Sequence, residues 1–295
     1  MPLEDVRVMA TDARRGGYAI GYFEAWNLES LQGVLDAAEQ SRSPIIIGFN
    51  GEFLSSPSRV AVERLGVYAA MGRAAAETTP GPCALIFNEC SNDDWVRQAI
   101  HAGFNLVMPV MPGIEMEECT RRIANLVTIA HEHGVAIEGE IDELPCGSTG
   151  VTVSHGKPTV PELAAQFVEK TNVDLLAVSV DNVHIRIEGE GGLNLELLEK
   201  IHQRVAVPLV LHGGSGIARE SLEAAIGLGV AKVNFGTYVK QRYLAAITGA
   251  ISNKQSNPHE LLGLGGEHDM MVAGRAAVRD AVLERLPWLG CCGKA

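Results

Sequence analysis

The chain has 295 residues, of which 46% are hydrophobic and 20% are charged, and its formal net charge at pH 7 is −12. This composition allows a large core, and no apolar run of about 18 residues predicts a membrane span. The lysines and arginines form no basic stripe, so nucleic acid is not an expected partner. The first 15 residues lack the apolar core of a signal peptide, which predicts a cytoplasmic protein. Six cysteines without CxxC spacing are expected to be free thiols.

Short apolar runs alternate with segments of helical periodicity along the chain. The runs predict strands at residues 18–23, 44–49, 83–87, 106–110, 136–141, 175–180, 209–211 and 232–235. The segments between them predict helices at 28–41, 58–76, 93–102, 116–133, 161–170, 195–204, 222–228 and 239–251. Eight strands, each followed by a helix, predict an α/β fold of the closed (β/α)8 TIM-barrel type in a single domain over residues 1–295. Residues 263–295 are expected to form a C-terminal helical extension, with a helix at 272–286.

The stretch PLVLHGGSG at residues 208–216 brings a histidine to the end of a predicted strand and continues into a glycine-rich turn. Catalytic residues of such barrels lie at the C-terminal ends of the strands, so His212 is expected in the site. The backbone N–H groups of Gly213, Gly214 and Ser215 predict a phosphate cradle, together with residues 234–237 after strand eight. The alternative is that GGSG is only a tight turn before a helix.

Several carboxylates and a second histidine also fall at predicted strand ends. They are Glu24, Glu89, Glu138, Glu140, Asp181 and His184. Imidazoles and carboxylates that converge on one barrel mouth predict a divalent metal site, suited to zinc, manganese, cobalt or iron. A structural role is the alternative for a lone histidine.

These motifs resemble those of the class II, metal-dependent ketose-bisphosphate aldolases, a family that includes fructose- and tagatose-bisphosphate aldolases. The resemblance covers essentially the whole chain and includes GVAIEGEI, VDNVH, PLVLHGGSG, KVNFGT and the terminal GCCGKA. It implies an aldehyde-lyase in which zinc, with manganese or cobalt as alternatives, polarises a ketose carbonyl. It also implies a homodimer or homotetramer that acts on a sugar phosphate.

The resemblance assigns roles to individual positions. It implies that His184 and His212 bind the metal and that Glu140 is the second acid of an ExE strand. It further implies that phosphate and substrate are held by Gly213, Gly214, Ser215, Asn234 and Thr237.

The chain also departs from the family pattern around this pocket. Where the family carries an aspartate and a histidine on strand three, this chain has Asn88 and Glu89. Glu89 can replace the third histidine as a metal ligand, whereas Asn88 cannot exchange a proton at neutral pH. Four further departures are Glu24 in place of asparagine, Asn50 in place of a phosphate-holding serine, and Val110 and Gly236, each in place of an aspartate. Together these changes predict a different substrate or reaction.

A retro-aldol cleavage needs a base, which the missing aspartate cannot supply. Glu24, Glu140 and Asp181 are the candidates. Asn88 is expected to hold a substrate carbonyl or hydroxyl, and Arg186 to pair with an anionic substrate, unless it is only a surface arginine. The sequence therefore predicts a class II aldolase-type lyase that cleaves or forms a carbon–carbon bond in a phosphorylated or otherwise anionic ketose. The alternatives are a metal-assisted epimerase or isomerase and a non-catalytic barrel that binds a sugar phosphate.

Overall fold

Eight parallel strands close into a barrel in the order β1 to β8 in the computed structural model, which describes residues 3–141, 157–183, 189–252 and 257–295. The strands are Ile20–Glu24 (β1), Ile45–Asn50 (β2), Cys83–Cys90 (β3), Leu106–Pro109 (β4), Ala136–Glu140 (β5), Leu175–Ala177 (β6), Leu209–Leu211 (β7) and Val230–Phe235 (β8). The predicted TIM barrel is confirmed. Nearly all strand residues are buried, as a sheet covered on both faces requires.

Helices surround the barrel. They are Val6–Gly16 (α1), Leu28–Ser41 (α2), Gly51–Ser55 (α3), Leu65–Thr78 (α4), Asp93–Ala102 (α5), Met116–Glu132 (α6), Pro161–Thr171 (α7), Leu195–His202 (α8), Arg219–Gly227 (α9), Thr237–Ser252 (α10), Pro258–Leu261 (α11) and Met270–Arg285 (α12). Among the described residues, no helix combines the length and apolar character needed to cross a membrane.

Some predicted boundaries are wrong. The helix expected from residue 58 begins only at Leu65, because the apolar residues Val60 and Val62 are exposed rather than packed against the barrel. Helices α1, α3 and α11 were not predicted. Helix α1 is capped by Asp5, whose side chain accepts a hydrogen bond from the Arg7 backbone N–H, and it buries four apolar side chains. Strand β3 is three residues longer than predicted, which brings Asn88 and Glu89 into the sheet.

The C-terminal helix α12 packs against both α2 and α10. Gly33 permits the close contact with α2, because a Cβ at this position would lie 2.6 Å from the backbone oxygen of Arg275. Arg275 also makes a bidentate pair with Asp36, at 2.6 and 2.7 Å. The helix predicted in the C-terminal extension therefore exists and is packed against the helical layer of the barrel.

Most of the described cysteines are buried free thiols. Burial raises the pKa of Cys83 and Cys291 to about 12 and that of Cys90 to about 11, whereas Cys292 is exposed. Because the thiolate is the reactive form, iodoacetamide at neutral pH is expected to label Cys292 well before these three. Peptide mass mapping of briefly labelled native protein checks this expectation, and a Cys83 labelled as fast as Cys292 would contradict it.

Candidate active site

His212 follows β7 and is buried at the C-terminal mouth of the barrel, with 1% of its surface exposed. Both ring nitrogens face carboxylates: Nδ1 lies 2.9 Å from Glu89 Oε1, and Nε2 lies 2.8 Å from Glu138 Oε1. Burial alone would lower the pKa of His212, but hydrogen bonds to Glu138 and Glu89 outweigh it and raise the pKa to about 10. Without another cation at Nδ1, the ring is therefore an imidazolium held between two carboxylates.

A second layer of charge lies deeper in the barrel. Glu138 and Lys232 are fully buried, and Lys232 Nζ lies 2.7 Å from Glu138 Oε2 and 2.6 Å from Asn234 Oδ1. Burial raises the pKa of Glu138, but Lys232 and His212 overcome this effect and lower it. Burial lowers the pKa of Lys232, with Glu138 opposing the shift. This contact fixes one oxygen of Glu138 on the lysine and leaves the other for His212.

Glu89 reaches His212 because its backbone departs from extended geometry. Its φ is +53°, a left-handed value that is uncommon for a residue other than glycine, and the pairing of β3 with β4 is irregular between Phe87 and Cys90. Asn50, at the end of β2, donates from Nδ2 to Glu89 Oε2 at 2.8 Å and accepts from the Phe53 N–H at 3.0 Å. Asn50 therefore caps α3 and orients the Glu89 carboxylate at the same time.

Two buried amide groups have polar atoms without a hydrogen-bond partner among the described residues. They are Oδ1 of Asn88, an acceptor, and Nδ2 of Asn234, a donor. The orientation of the Asn234 amide follows from Lys232, which has only donors and therefore faces Oδ1. Buried polar atoms usually have partners, so these two atoms are suited to contact a bound ligand.

The two glycine-containing turns lie side by side. A Cβ at Gly214 would lie 2.7 Å from the Val233 side chain and 2.9 Å from the Asn234 backbone oxygen, so only glycine fits there. Ser215 Oγ accepts a hydrogen bond from the Tyr238 N–H at 3.2 Å, which joins the turn after β7 to the first turn of α10. Helix α10 begins at Thr237, directly after Gly236, and its N-terminus attracts anions.

The three carboxylates predicted as candidate bases lie in different surroundings. Glu24, at the end of β1, is 9% exposed and pairs with Lys240 at 2.5 Å. Glu140, the last residue of β5, is half-buried and lies two residues beyond Glu138, on the same face of the strand. Asp181 is exposed and has a φ of +70°.

Other predictions fall outside the described residues. They concern His184, Arg186 and residues 146–155, for which the turn-forming residues of the sequence predict a loop.

Sequence reasoning missed the roles of Lys232 and Asn182. Asn182 donates from Nδ2 to the His212 backbone oxygen at 3.1 Å and accepts from the Val180 N–H at 2.8 Å, so it ties the end of β7 to the segment after β6. A lysine between Ala231 and Val233 in an apolar strand is the signal that could have found Lys232, since a buried cation requires a buried anion.

Two of the three predicted metal ligands, Glu89 and His212, lie in contact and offer donor atoms of the kind that a divalent metal takes. Within the described residues no group of three histidine, cysteine, aspartate or glutamate side chains is arranged to hold one, and the third predicted ligand, His184, lies outside them. The contact of His212 Nε2 with Glu138 is nevertheless the carboxylate–histidine arrangement that supports metal-binding imidazoles. Because Nε2 is engaged by Glu138, the other ring nitrogen, Nδ1, faces Glu89 Oε1. An imidazole nitrogen and a carboxylate oxygen are donor atoms suited to zinc, manganese or cobalt.

The barrel, the paired turns and this carboxylate–histidine cluster agree with the similarity to known proteins, which identifies an aldolase-type lyase. The family model for class-II fructose-bisphosphate aldolase matches residues 4–294, and the chain belongs to this family. A probable fructose-bisphosphate aldolase of Bacillus subtilis is 30% identical over 302 residues, covering 100% of both chains. An uncharacterized protein of Escherichia coli K12, YdjI, is 32% identical over 294 residues, covering 99% of both.

Solved structures agree. The crystal structure of the YdjI aldolase from E. coli K12 superposes with a TM-score of 0.83 at 31% identity and covers 99% of both chains. A putative fructose-1,6-bisphosphate aldolase from Coccidioides immitis gives a TM-score of 0.82 at 25% identity, covering 98% of this chain and 97% of that one.

Proposed function

We propose that the protein is a metal-dependent aldolase that cleaves or forms a carbon–carbon bond in a ketose carrying a phosphate or another anionic group. The observation that supports it most directly is the line Glu89–His212–Glu138, in which a buried imidazole presents Nδ1 to one carboxylate and is fixed at Nε2 by another. Glu89, His184 and His212 would hold the metal, with zinc preferred and manganese or cobalt as alternatives. When bound, the metal supplies Lewis-acid polarisation of the ketose carbonyl.

Other residues of the chain would bind the phosphate and the oxygen atoms of the substrate. The N–H groups of Gly213, Gly214 and Ser215 bind the phosphate with those of Gly236 and Thr237, at the loops where barrels commonly hold this group. Asn234 donates from Nδ2 to a substrate oxygen, because Lys232 holds its other amide atom. Asn88 accepts a hydrogen bond from a substrate hydroxyl through Oδ1. Arg186 is proposed to pair with an anionic group of the substrate.

Glu140 is the proposed base. It removes the proton from the hydroxyl beside the breaking bond, that carbon becomes the carbonyl of the released aldehyde, and the bonding electron pair passes to the ketose fragment. Glu24 is less suited to this step because its Oε1 is already engaged by Lys240 at 2.5 Å. Asp181 is exposed to solvent, so it is the least favoured of the three candidates.

Metal content is the first test. Protein purified without added metal and then reconstituted is expected to hold about one equivalent, and Glu89→Ala and His212→Ala to lower the metal affinity 10–100-fold or more. Elemental mass spectrometry after dialysis measures this, with Glu169→Ala, at an exposed carboxylate on α7, as a control of similar charge change. If reconstituted parent protein stays metal-free, the proposed function is overturned.

An epimerase or isomerase is the second candidate. Asn88 favours it, because the family's aldol cleavage uses an acid or base at this position and an asparagine cannot exchange a proton. Incubation with a panel of ketose 1-phosphates separates the two. An aldolase releases dihydroxyacetone phosphate, which a coupled dehydrogenase assay detects. An epimerase yields only an isomer, which carbon-13 NMR identifies.

We further propose that residues 1–295 act as one barrel unit with residues 263–295 as its C-terminal extension, in a cytoplasmic homodimer or homotetramer. The packing of α12 on α2 and α10 supports the first part. Family membership supports the others.

A further inference from the structure

Glu24 and Gly236 share one space at the mouth of the barrel. Gly236 lies in the turn after β8, and a Cβ built on it would lie 2.6 Å from Glu24 Oε2. Real Cβ atoms do not approach an oxygen so closely, so the carboxylate of Glu24 occupies the volume that any larger side chain at position 236 would need. Strand β1 thus supplies a carboxylate to the substrate turn of β8, and the missing side chain at Gly236 permits it.

Lys240 holds that carboxylate. Its Nζ lies 2.5 Å from Glu24 Oε1, and its side chain, 32% exposed, packs against two aromatic rings. The Nζ lies 4.5 Å from the ring centroid of Phe53 and 5.8 Å from that of Trp26. Contact with aromatic faces stabilises a cation and restricts its movement. Lys240 also follows the first residues of α10, so its charge lies near the turn that the proposed function assigns to phosphate.

A carboxylate beside a phosphate site is unfavourable unless its charge is compensated. Two unit charges several ångströms apart at a partly buried site repel by an energy that corresponds to about tenfold or more in affinity. Lys240 cancels this repulsion without displacing Glu24. A carboxylate held in this way still accepts hydrogen bonds, and hydroxyl groups are the donors that a ketose offers.

We propose that Glu24 and Lys240 form a specificity-determining pair, in which Glu24 accepts hydrogen bonds from hydroxyl groups of a bound ketose and Lys240 is the residue that positions and neutralises it. The pair selects a hydroxyl-rich ketose with a single phosphate at this end of the site. This inference rests on the proposed function, since it assumes that the turns after β7 and β8 bind that phosphate.

Charge variants test the pair through phosphate itself. Isothermal calorimetry of the full-length, zinc-reconstituted protein with inorganic phosphate is expected to show about tenfold weaker binding for Lys240→Met, because the variant removes the positive charge that contacts Glu24. Glu24→Gln is expected to bind phosphate as tightly as the parent or more tightly, and the double variant to return within about threefold of it. Arg242→Met, which breaks an exposed pair with Glu284 on the same helix, is the matched control and should leave binding unchanged.

A second probe tests recognition of hydroxyl groups. In Glu24→Gln, the ratio of the affinity for D-fructose 1-phosphate to the affinity for inorganic phosphate is expected to fall about tenfold. The reason is that an amide replaces the charged hydrogen-bond acceptor. Gly236→Ala should cause a similar loss by displacing the carboxylate, and it should have no added effect in a Glu24→Ala background. Gly249→Ala on α10, where a Cβ meets nothing within 4 Å, is its control.

The outcomes separate the two proposals. If the parent protein binds phosphate but Lys240→Met and Glu24→Gln change its affinity in the same direction, the specificity pair is overturned while the phosphate turns stand. Equal losses for both ligands in Glu24→Gln also overturn it, because a merely structural role affects both alike. If the parent binds no phosphate, the proposed function and this inference fall together.

Discussion

Lys232→Met is expected to lower the free energy of unfolding of the metal-free protein by about 3–5 kcal/mol, the usual cost of removing one partner from a buried ion pair. Both Lys232 and Glu138 are fully buried, and their 2.7 Å contact is a cation–carboxylate pair inside the barrel. Without the lysine, Glu138 loses a nearby positive charge and Asn234 Oδ1 loses its donor. Urea denaturation followed by circular dichroism measures the change.

The double variant Lys232→Met/Glu138→Gln identifies the cause. If the loss comes from an uncompensated carboxylate, removing that charge as well should recover a large part of the stability. If the double variant is as unstable as the sum of the two single ones, the loss comes from packing and not from charge. Arg219→Met, which breaks an exposed pair with Glu223, should leave the urea midpoint unchanged.

Glu140→Gln is expected to lower kcat by about 10²–10⁴-fold, because general-base catalysis contributes rate factors of this size. Its metal content should be unchanged, since Glu140 is not among the proposed ligands. The measurement is steady-state cleavage of the best ketose 1-phosphate from the panel, with kcat and KM determined separately. Glu140→Asp is expected to recover part of the activity, because the carboxylate is retained at a greater distance.

Glu169→Gln, an exposed carboxylate on α7, is the matched control and should match the parent. A Glu140→Gln enzyme with parental kcat would remove Glu140 as the base. Glu24→Gln would then be tested in the same assay, since its carboxylate also lies at the mouth of the barrel. A fall in kcat for Glu24→Gln with unchanged KM would assign the base to Glu24, whereas a rise in KM alone agrees with its role in specificity.

Much of the fold is readable from local patterns. The helix at Leu28–Ser41 and the strand at Leu209–Leu211 have the predicted bounds, because each has a clear apolar periodicity and clear end signals. Residues 58–64 were misjudged for the opposite reason. The sequence pattern assigns their valines to one face of a helix, yet Val60 and Val62 are exposed in the part of the chain that the structure describes. Periodicity identifies a face that could be buried, but only packing decides whether it is.

The candidate site, like the fold, is predicted only in part by the sequence. Residue type and position at the strand ends suffice to nominate His212, Glu89 and the glycine turns, because parallel strands of a barrel deliver their C-terminal residues to one mouth. The sequence alone determines which chemical groups reach that mouth and which family the chain resembles. It does not determine which groups touch, because Glu138 and Glu89, the carboxylates that contact the His212 ring, lie 74 and 123 residues away along the chain.

Only the tertiary structure decided three features of this protein. They are the left-handed backbone that turns Glu89 toward His212, the buried Lys232 that neutralises Glu138, and the space at Gly236 that admits Glu24. Each depends on distances between strands that are far apart in sequence. A charge is neutralised, and a side-chain volume is filled, only by groups that lie close in the folded structure. For that reason the spacing of apolar runs predicts the barrel and the groups at its mouth, while the partner of each charge follows from the closure of the sheet.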